Sequence, residues 1–134
     1  MTSQQTFIRR LIFCAMLVLS ATAALAAGTV DVKQGAALQS HGALLLDVRT
    51  PGEFVQGHAP GATLIPLDQL EQRLAELRGV KDKPVALICR SGIRSAQAQS
   101  ILEKAGFSKV VNIEGGMISW AKAGLPVETG ASAK

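Results

Sequence analysis

Short apolar runs alternate with stretches of helical period along most of this chain, and that rhythm predicts an architecture. Ala43-Leu44-Leu45-Leu46-Asp47-Val48 is apolar except at Asp47, the pattern of a strand buried on both faces. Thr50-Pro51-Gly52-Glu53 follows, with Thr50 as N-cap, Pro51 at the first helical position and Glu53 three residues after the cap. This is a helix start. Thr63-Leu64-Ile65 reads as a short strand ended by Pro66. Leu67, Leu70, Leu74 and Leu77 then recur at three and four, with Asp68 and Glu71 spaced as a capping pair, which predicts an amphipathic helix over one sheet face. Pro84-Val85-Ala86-Leu87-Ile88 is a further buried strand with Cys89 at its carboxyl end. From Arg94 to Ala105 the positions Ala98, Ile101, Leu102 and Ala105 form an apolar stripe, and Gly106 supplies the stop. Val110-Val111-Asn112-Ile113 is another strand, and Gly115-Gly116 opens a short helix through Trp120. Strand and helix in this alternation predict a compact α/β domain, a mostly parallel sheet with helices on both faces. There is no internal repeat, and the small, polar tail Glu128–Lys134 is expected to be frayed.

The first residues belong to a different pattern. Arg9-Arg10 precede a stretch without charge from Leu11 to Leu25, closed by Ala24-Leu25-Ala26. Basic, apolar, then small is the order of a secretory signal peptide, here 1–26, cleaved after Ala26. The apolar run is marginal for a retained span across a bilayer core of roughly 30 Å. Cleavage leaves residues 27–134, a single domain exported to the periplasm or secreted. The whole chain carries a net charge of +4, two of it from Arg9 and Arg10. No basic run or aromatic platform follows, so nucleic acid is not an expected partner.

Cysteine usage sharpens the picture. Cys14 leaves with the leader, and Cys89 is then alone in a chain bound for an oxidising compartment. It is either an inert core thiol or a reactive one. Without a second Cys or a cluster of His, neither a resolving partner for redox chemistry nor a metal site is expected.

Ligands in an open α/β sheet bind outside the carboxyl ends of its strands. Cys89 ends one strand, Asp47 and Arg49 end another, and Glu114-Gly115-Gly116 follow a third. The segment Cys89-Arg90-Ser91-Gly92-Ile93-Arg94-Ser95 joins strand directly to helix. A short loop with Gly92 free to take positive φ can turn successive N–H groups inward as an anion nest. The following helix adds its positive dipole end, and Arg90 and Arg94 add two charges. A thiol at that focus is expected to ionise below its free value of about 8.5. Charges ringing the cysteine argue against an inert core role.

At this point the chain resembles a known family. Cys-Arg-Ser-Gly-x-Arg-Ser, residues 89–95, resembles the active-site loop of rhodanese-like sulfurtransferases. Leu45 to Phe54, Gly57-His58-Ala59-Pro60-Gly61-Ala62 and Ile65-Pro66-Leu67 resemble the family's first signature. Asn112-Ile113-Glu114-Gly115-Gly116-Met117 with Trp120 resemble its second. The likeness covers residues 44–127, and in kind the chain is similar to small periplasmic rhodaneses of the phage-shock response. The resemblance implies that Cys89 takes the outer sulfur of thiosulfate as a persulfide, releases sulfite, and passes the sulfur to cyanide or a thiol, protein thiols of the periplasm included. It implies no metal and no organic cofactor. The amides of Arg90, Ser91, Gly92, Ile93, Arg94 and Ser95 would hold the terminal sulfur, and Arg90 and Arg94 the donor's sulfonate.

Similar folds serve as phosphatases and arsenate reductases, whose loop is one residue longer than the four residues between Cys89 and Arg94; by resemblance the shorter loop suits sulfur. Other members lack a working Cys and act as binding or regulatory modules, a role that Cys89 and its arginines disfavour. Asp47, Arg49 and Glu53 are expected to form a polar network bracing the site. His58 is expected to satisfy backbone groups in its turn, His41 to be solvated, and Trp120 to anchor the last helix in the core. Only about sixteen residues separate Ala27 from Ala43, so the opening strand is expected to be a stub at Thr29-Val30, followed by a helix over Asp31–Ser40 capped by Asp31 and Gln34. The sheet would then hold four full strands and the stub.

Overall fold

A computed structural model describes residues 28–131; the expected leader and its expected cleavage point lie outside the described residues. The order is β1 (Gly28–Val30), α1 (Val32–Ser40), β2 (Leu44–Asp47), α2 (Pro51–Gln56), β3 (Thr63–Leu64), α3 (Leu67–Leu70), a 3₁₀ stretch (Glu71–Val80), β4 (Val85–Ile88), α4 (Ile93–Lys104), β5 (Val110–Ile113) and α5 (Gly116–Lys122). The strands form one five-stranded, all-parallel sheet in the order β1-β5-β4-β2-β3.

Side chains alternate across a strand, so adjacent leucines serve opposite layers. Leu46, Val85 and Leu87 pack with Leu70, Leu77 and Leu102 beneath α3, the 3₁₀ stretch and α4. Leu45, Ala86 and Ile88 pack with Val32, Phe54 and Trp120 beneath α1, α2 and α5. Two apolar layers therefore hold the central strands, and the buried polar side chains of Asp47, Arg49, Ser95 and Asn112 gather toward the sheet's carboxyl edge.

Two of the three predicted capping pairs form. Asp31 accepts from the Gln34 amide at 2.8 Å, and the Gln34 side chain accepts from the Asp31 amide at 2.9 Å. Thr50 and Glu53 make the same reciprocal pair at the start of α2, with Pro51 as its first residue. The stub strand and the following helix are found where the sequence places them.

Four expectations are corrected. The leucine repeat from Leu67 is not one α-helix; after Leu70 it tightens into 3₁₀ turns. A mean spacing of about 3.3 residues falls between the 3.0 and 3.6 residues per turn of the two helices, so the same leucines face the core either way. The Asp68–Glu71 cap does not form, because the chain enters from Pro66 with the Leu67 amide bonded to the Val48 carbonyl, leaving Asp68 inside the first turn. β3 is shorter than β1, with two residues; Ile65 adds one bond to the Asp47 carbonyl before Pro66, which has no N–H to give, ends the ladder. The tail is pinned as far as Gly130. Glu128 exchanges both backbone bonds with His58, at 2.8 and 2.9 Å, and the Gly130 amide reaches the Val55 carbonyl at 2.8 Å.

Candidate active site

β4 delivers Cys89 to the carboxyl edge, and Gly92, at φ +106°, turns the chain into α4 within three residues. A side chain in that left-handed conformation would be strained, which is why glycine stands there. The turn points donors back at the sulfur: the Gly92 amide lies 3.0 Å and the Ser95 hydroxyl 3.2 Å from Cys89 Sγ. Burial pushes the thiol's pKa up, while the Ser95 hydroxyl and the amides of Ser95, Gly92 and Ser91 pull it down. The donors win, and the thiol ionises below its ordinary range.

The loop is seated on the start of α5. The Met117 amide donates to the Cys89 carbonyl at 2.8 Å and the Ile118 amide to the Arg90 carbonyl at 3.1 Å. This approach requires Gly116, whose φ is +54° and whose Cβ, if it had one, would lie 2.6 Å from the Arg90 carbonyl. With its carbonyls held from below by these amides, the loop keeps its own N–H groups for the sulfur.

The two arginines have different fates. Arg90 is exposed and has no side-chain partner among the described residues. Arg94 is gripped by Glu53 of α2 through two bonds of 2.6 and 2.8 Å. The Arg94 bond, set against a smaller effect of burial, holds the Glu53 carboxyl down at about 2. The Arg94 charge expected to draw a donor's sulfonate is thus paired with the Glu53 carboxylate, one N–H of each terminal nitrogen being engaged.

The expected trio of Asp47, Arg49 and Glu53 divides in two. Arg49 closes on Asp47, both buried, with Nη2 to Oδ2 at 2.7 Å, and its Nη2 also donates to the Gly57 carbonyl at 2.8 Å. This pair ties β2 to the turn after α2. Glu53 instead serves Arg94, and only a long contact of 3.5 Å from Arg49 Nη1 to the Glu53 carbonyl links the two pairs.

A groove of about 300 Å³ opens beside the loop, with Arg49, Glu53 and Arg90 facing Met117, Ile118 and Val127. His58 is stacked on Phe54 at 3.7 Å, and its Nδ1 bonds the Phe54 carbonyl at 2.8 Å, so it braces α2. Trp120 is buried in the core with its indole N–H on the Pro126 carbonyl, and His41 is exposed. Among the described residues no group of three or more His, Cys, Asp or Glu is placed to hold a metal.

Sequence reasoning missed two participants. It named Ser95 for its amide, whereas the hydroxyl also reaches the sulfur. It gave Asn112 no role, yet Asn112 bonds both the Ser95 hydroxyl, at 2.6 Å, and the Gly92 carbonyl, at 3.0 Å. The signal was present: Asn112 is the one polar residue of β5, next to the edge where Cys89 stands.

Comparison with known proteins agrees with this geometry. The profile of the Rhodanese-like domain matches residues 31–123. A sulfurtransferase of Allochromatium vinosum is 44% identical over 84 residues, 63% of this chain and 77% of that one. The probable adenylyltransferase/sulfurtransferase MoeZ of Mycobacterium tuberculosis is 40% identical over 58% of this chain, which spans only 20% of that protein. Among solved structures, a rhodanese-like domain protein from Staphylococcus aureus superposes with a TM-score of 0.66 at 31% identity, over 78% of this chain and 99% of that one. A thiosulfate sulfurtransferase from Pseudomonas aeruginosa gives 0.70 at 28% identity, over 79% of this chain and 21% of that one. With its five-stranded parallel sheet, its cysteine loop and its sulfurtransferase relatives, the chain belongs to the rhodanese-like domain family.

Proposed function

We propose that this protein is a thiosulfate-type sulfurtransferase that carries sulfane sulfur on Cys89. The carrying observation is the position of Sγ, at a strand end, accepting from the Gly92 amide and the Ser95 hydroxyl with its pKa lowered. Such a group is a nucleophile, and the same donors suit the anion it becomes.

The Cys89 thiolate attacks the outer sulfur of thiosulfate. The bond from that sulfur to the sulfonate breaks, and its electron pair leaves with sulfite. Cys89 is left as a persulfide anion whose terminal sulfur lies in the nest of loop amides. Cyanide or a thiolate then attacks the terminal sulfur, the S–S bond breaks, and its electron pair returns to Cys89 as thiolate. No proton, metal or redox cofactor is needed for balance. Arg90 is the cation free to meet the donor's sulfonate, while Arg94 fixes the loop against α2 through Glu53. The groove beside Arg90 gives a thiol acceptor its approach.

Export belongs to the same proposal, since Arg9-Arg10, the uncharged run and Ala24-Leu25-Ala26 have the order of a cleaved leader. The acceptor would then be cyanide, a small thiol or a protein thiol of the periplasm. The likeness to phage-shock rhodaneses rests on size and leader alone. Two-substrate kinetics test the reading. Sulfite leaves before the acceptor enters, so double-reciprocal plots should be parallel, and Cys89→Ser should reduce transfer to background. Intersecting plots, or an active Cys89→Ser protein, would overturn it.

A further inference from the structure

Ser95 is fully buried, and its hydroxyl has two acceptors but one proton. Asn112 Oδ1 lies 2.6 Å from Ser95 Oγ, and Cys89 Sγ lies 3.2 Å from it. The Asn112 amide cannot be reversed to relieve this, because its Nδ2 donates to the Gly92 carbonyl at 3.0 Å. Oδ1 therefore faces Ser95 as an acceptor in every protonation state of the thiol.

We propose that Asn112 is a positioning residue that competes with Cys89 for the single hydroxyl proton of Ser95. While Cys89 is a thiol, Ser95 donates to Asn112 and can accept the S–H proton from Cys89. Once the sulfur is an anion, the hydroxyl rotates to it and Asn112 Oδ1 loses its donor. Leaving a buried acceptor unpaired is unfavourable, so Asn112 restrains ionisation of the thiol. It offers Ser95 a second resting place each time the sulfur loses its charge. The charged groups around the thiol are Arg90 and Arg94 on its own loop and helix, Glu53 on α2, Asp47 at the end of β2 and Arg49 just after it. None of their side chains bonds to Ser95 or Asn112.

The inference rests on Cys89 as the working sulfur, but its test needs no sulfur transfer. The rate of iodoacetamide alkylation against pH reports thiol ionisation in wild type, Ser95→Ala, Asn112→Leu and the double variant. Asn112→Leu also removes the brace on Gly92, and that effect is common to both Ser95 backgrounds. The difference between backgrounds isolates the shared proton. With Ser95 present, Asn112→Leu should lower the midpoint by about one pH unit relative to its effect in Ser95→Ala, a roughly tenfold change in thiolate at fixed pH. Asn112→Asp, a stronger acceptor of similar size, should give the opposite coupling and serves if the leucine variant does not fold. Equal shifts in the two backgrounds, or couplings of reversed sign, would overturn the proposal. Loss of sulfur transfer with the coupling intact overturns only the proposed function, and loss of the coupling with transfer intact overturns only this inference.

Discussion

Replacing Glu53 by Gln tests the clamp between α2 and the active loop. Gln retains the shape and can still complete the capping box with Thr50, so the perturbation is confined to the charge that holds Arg94. The Glu53 carboxyl is drawn from an ordinary 4.5 to about 2, first by its bond with Arg94. Taken at face value that depression corresponds to about 3 kcal/mol of folded-state stabilisation. The side chains of Arg94 and Glu53 keep 34% and 28% of their surface in water, so screening reduces the expected contribution. About 1–2 kcal/mol remains. The sign follows from the direction of the shift. A carboxyl whose pKa is lower folded than unfolded stabilises fully above the unfolded value, and the gain is lost as pH falls through the folded one. Urea unfolding of wild type and Glu53→Gln should therefore differ by about 1–2 kcal/mol at pH 7. The gap should shrink to less than half by about pH 3 and close near the folded pKa of about 2. A difference that stays constant from pH 7 to pH 3, or no difference at pH 7, would refute the clamp as a charge pair.

Arg94→Ala should weaken turnover at low thiosulfate, because it leaves the Glu53 carboxylate bare beside an anion site; adding Glu53→Gln should restore much of the loss, and a double variant as poor as the single would contradict this. Arg90→Ala removes a charge-assisted contact to the donor and should raise the KM for thiosulfate roughly ten- to a hundredfold; an unchanged KM would show that Arg90 does not meet the sulfonate. Gly116→Ala combines a left-handed φ with a collision against the Arg90 carbonyl. It should destabilise the fold by about 2–4 kcal/mol in urea unfolding, and a cost under about 0.5 kcal/mol would mean that the loop is not seated on α5 as described.

The parts legible in the sequence were those set by local chemistry. Apolar runs at Leu44, Val85 and Val110 gave the central strands, because a strand covered on both faces has no polar side. Asp31 with Gln34, and Thr50 with Glu53, announced two helices through caps that lie within four residues of sequence. The cysteine loop was legible because nucleophile, turn glycine and helix start are contiguous from Cys89 to Ser95. What stayed hidden depends on partners far apart in the chain. Arg94 looked like a free cation until Glu53, forty-one residues away, was found on its guanidinium. The Ser95 hydroxyl needed Asn112 from another strand. The tail looked mobile by composition, but backbone pairing of Glu128 with His58 does not depend on side-chain type. The 3₁₀ stretch after Leu70 was hidden because a repeat of three and four fits either helix.

The central claim is that Cys89 holds sulfur covalently between donor and acceptor. Its most direct test is the intact mass of the protein after treatment with thiosulfate and removal of excess reagent. The account predicts a gain of one sulfur atom, mapped to the peptide that contains Cys89, lost on adding cyanide and absent from Cys89→Ser. No gain in a folded protein, or the same gain in Cys89→Ser, would contradict it.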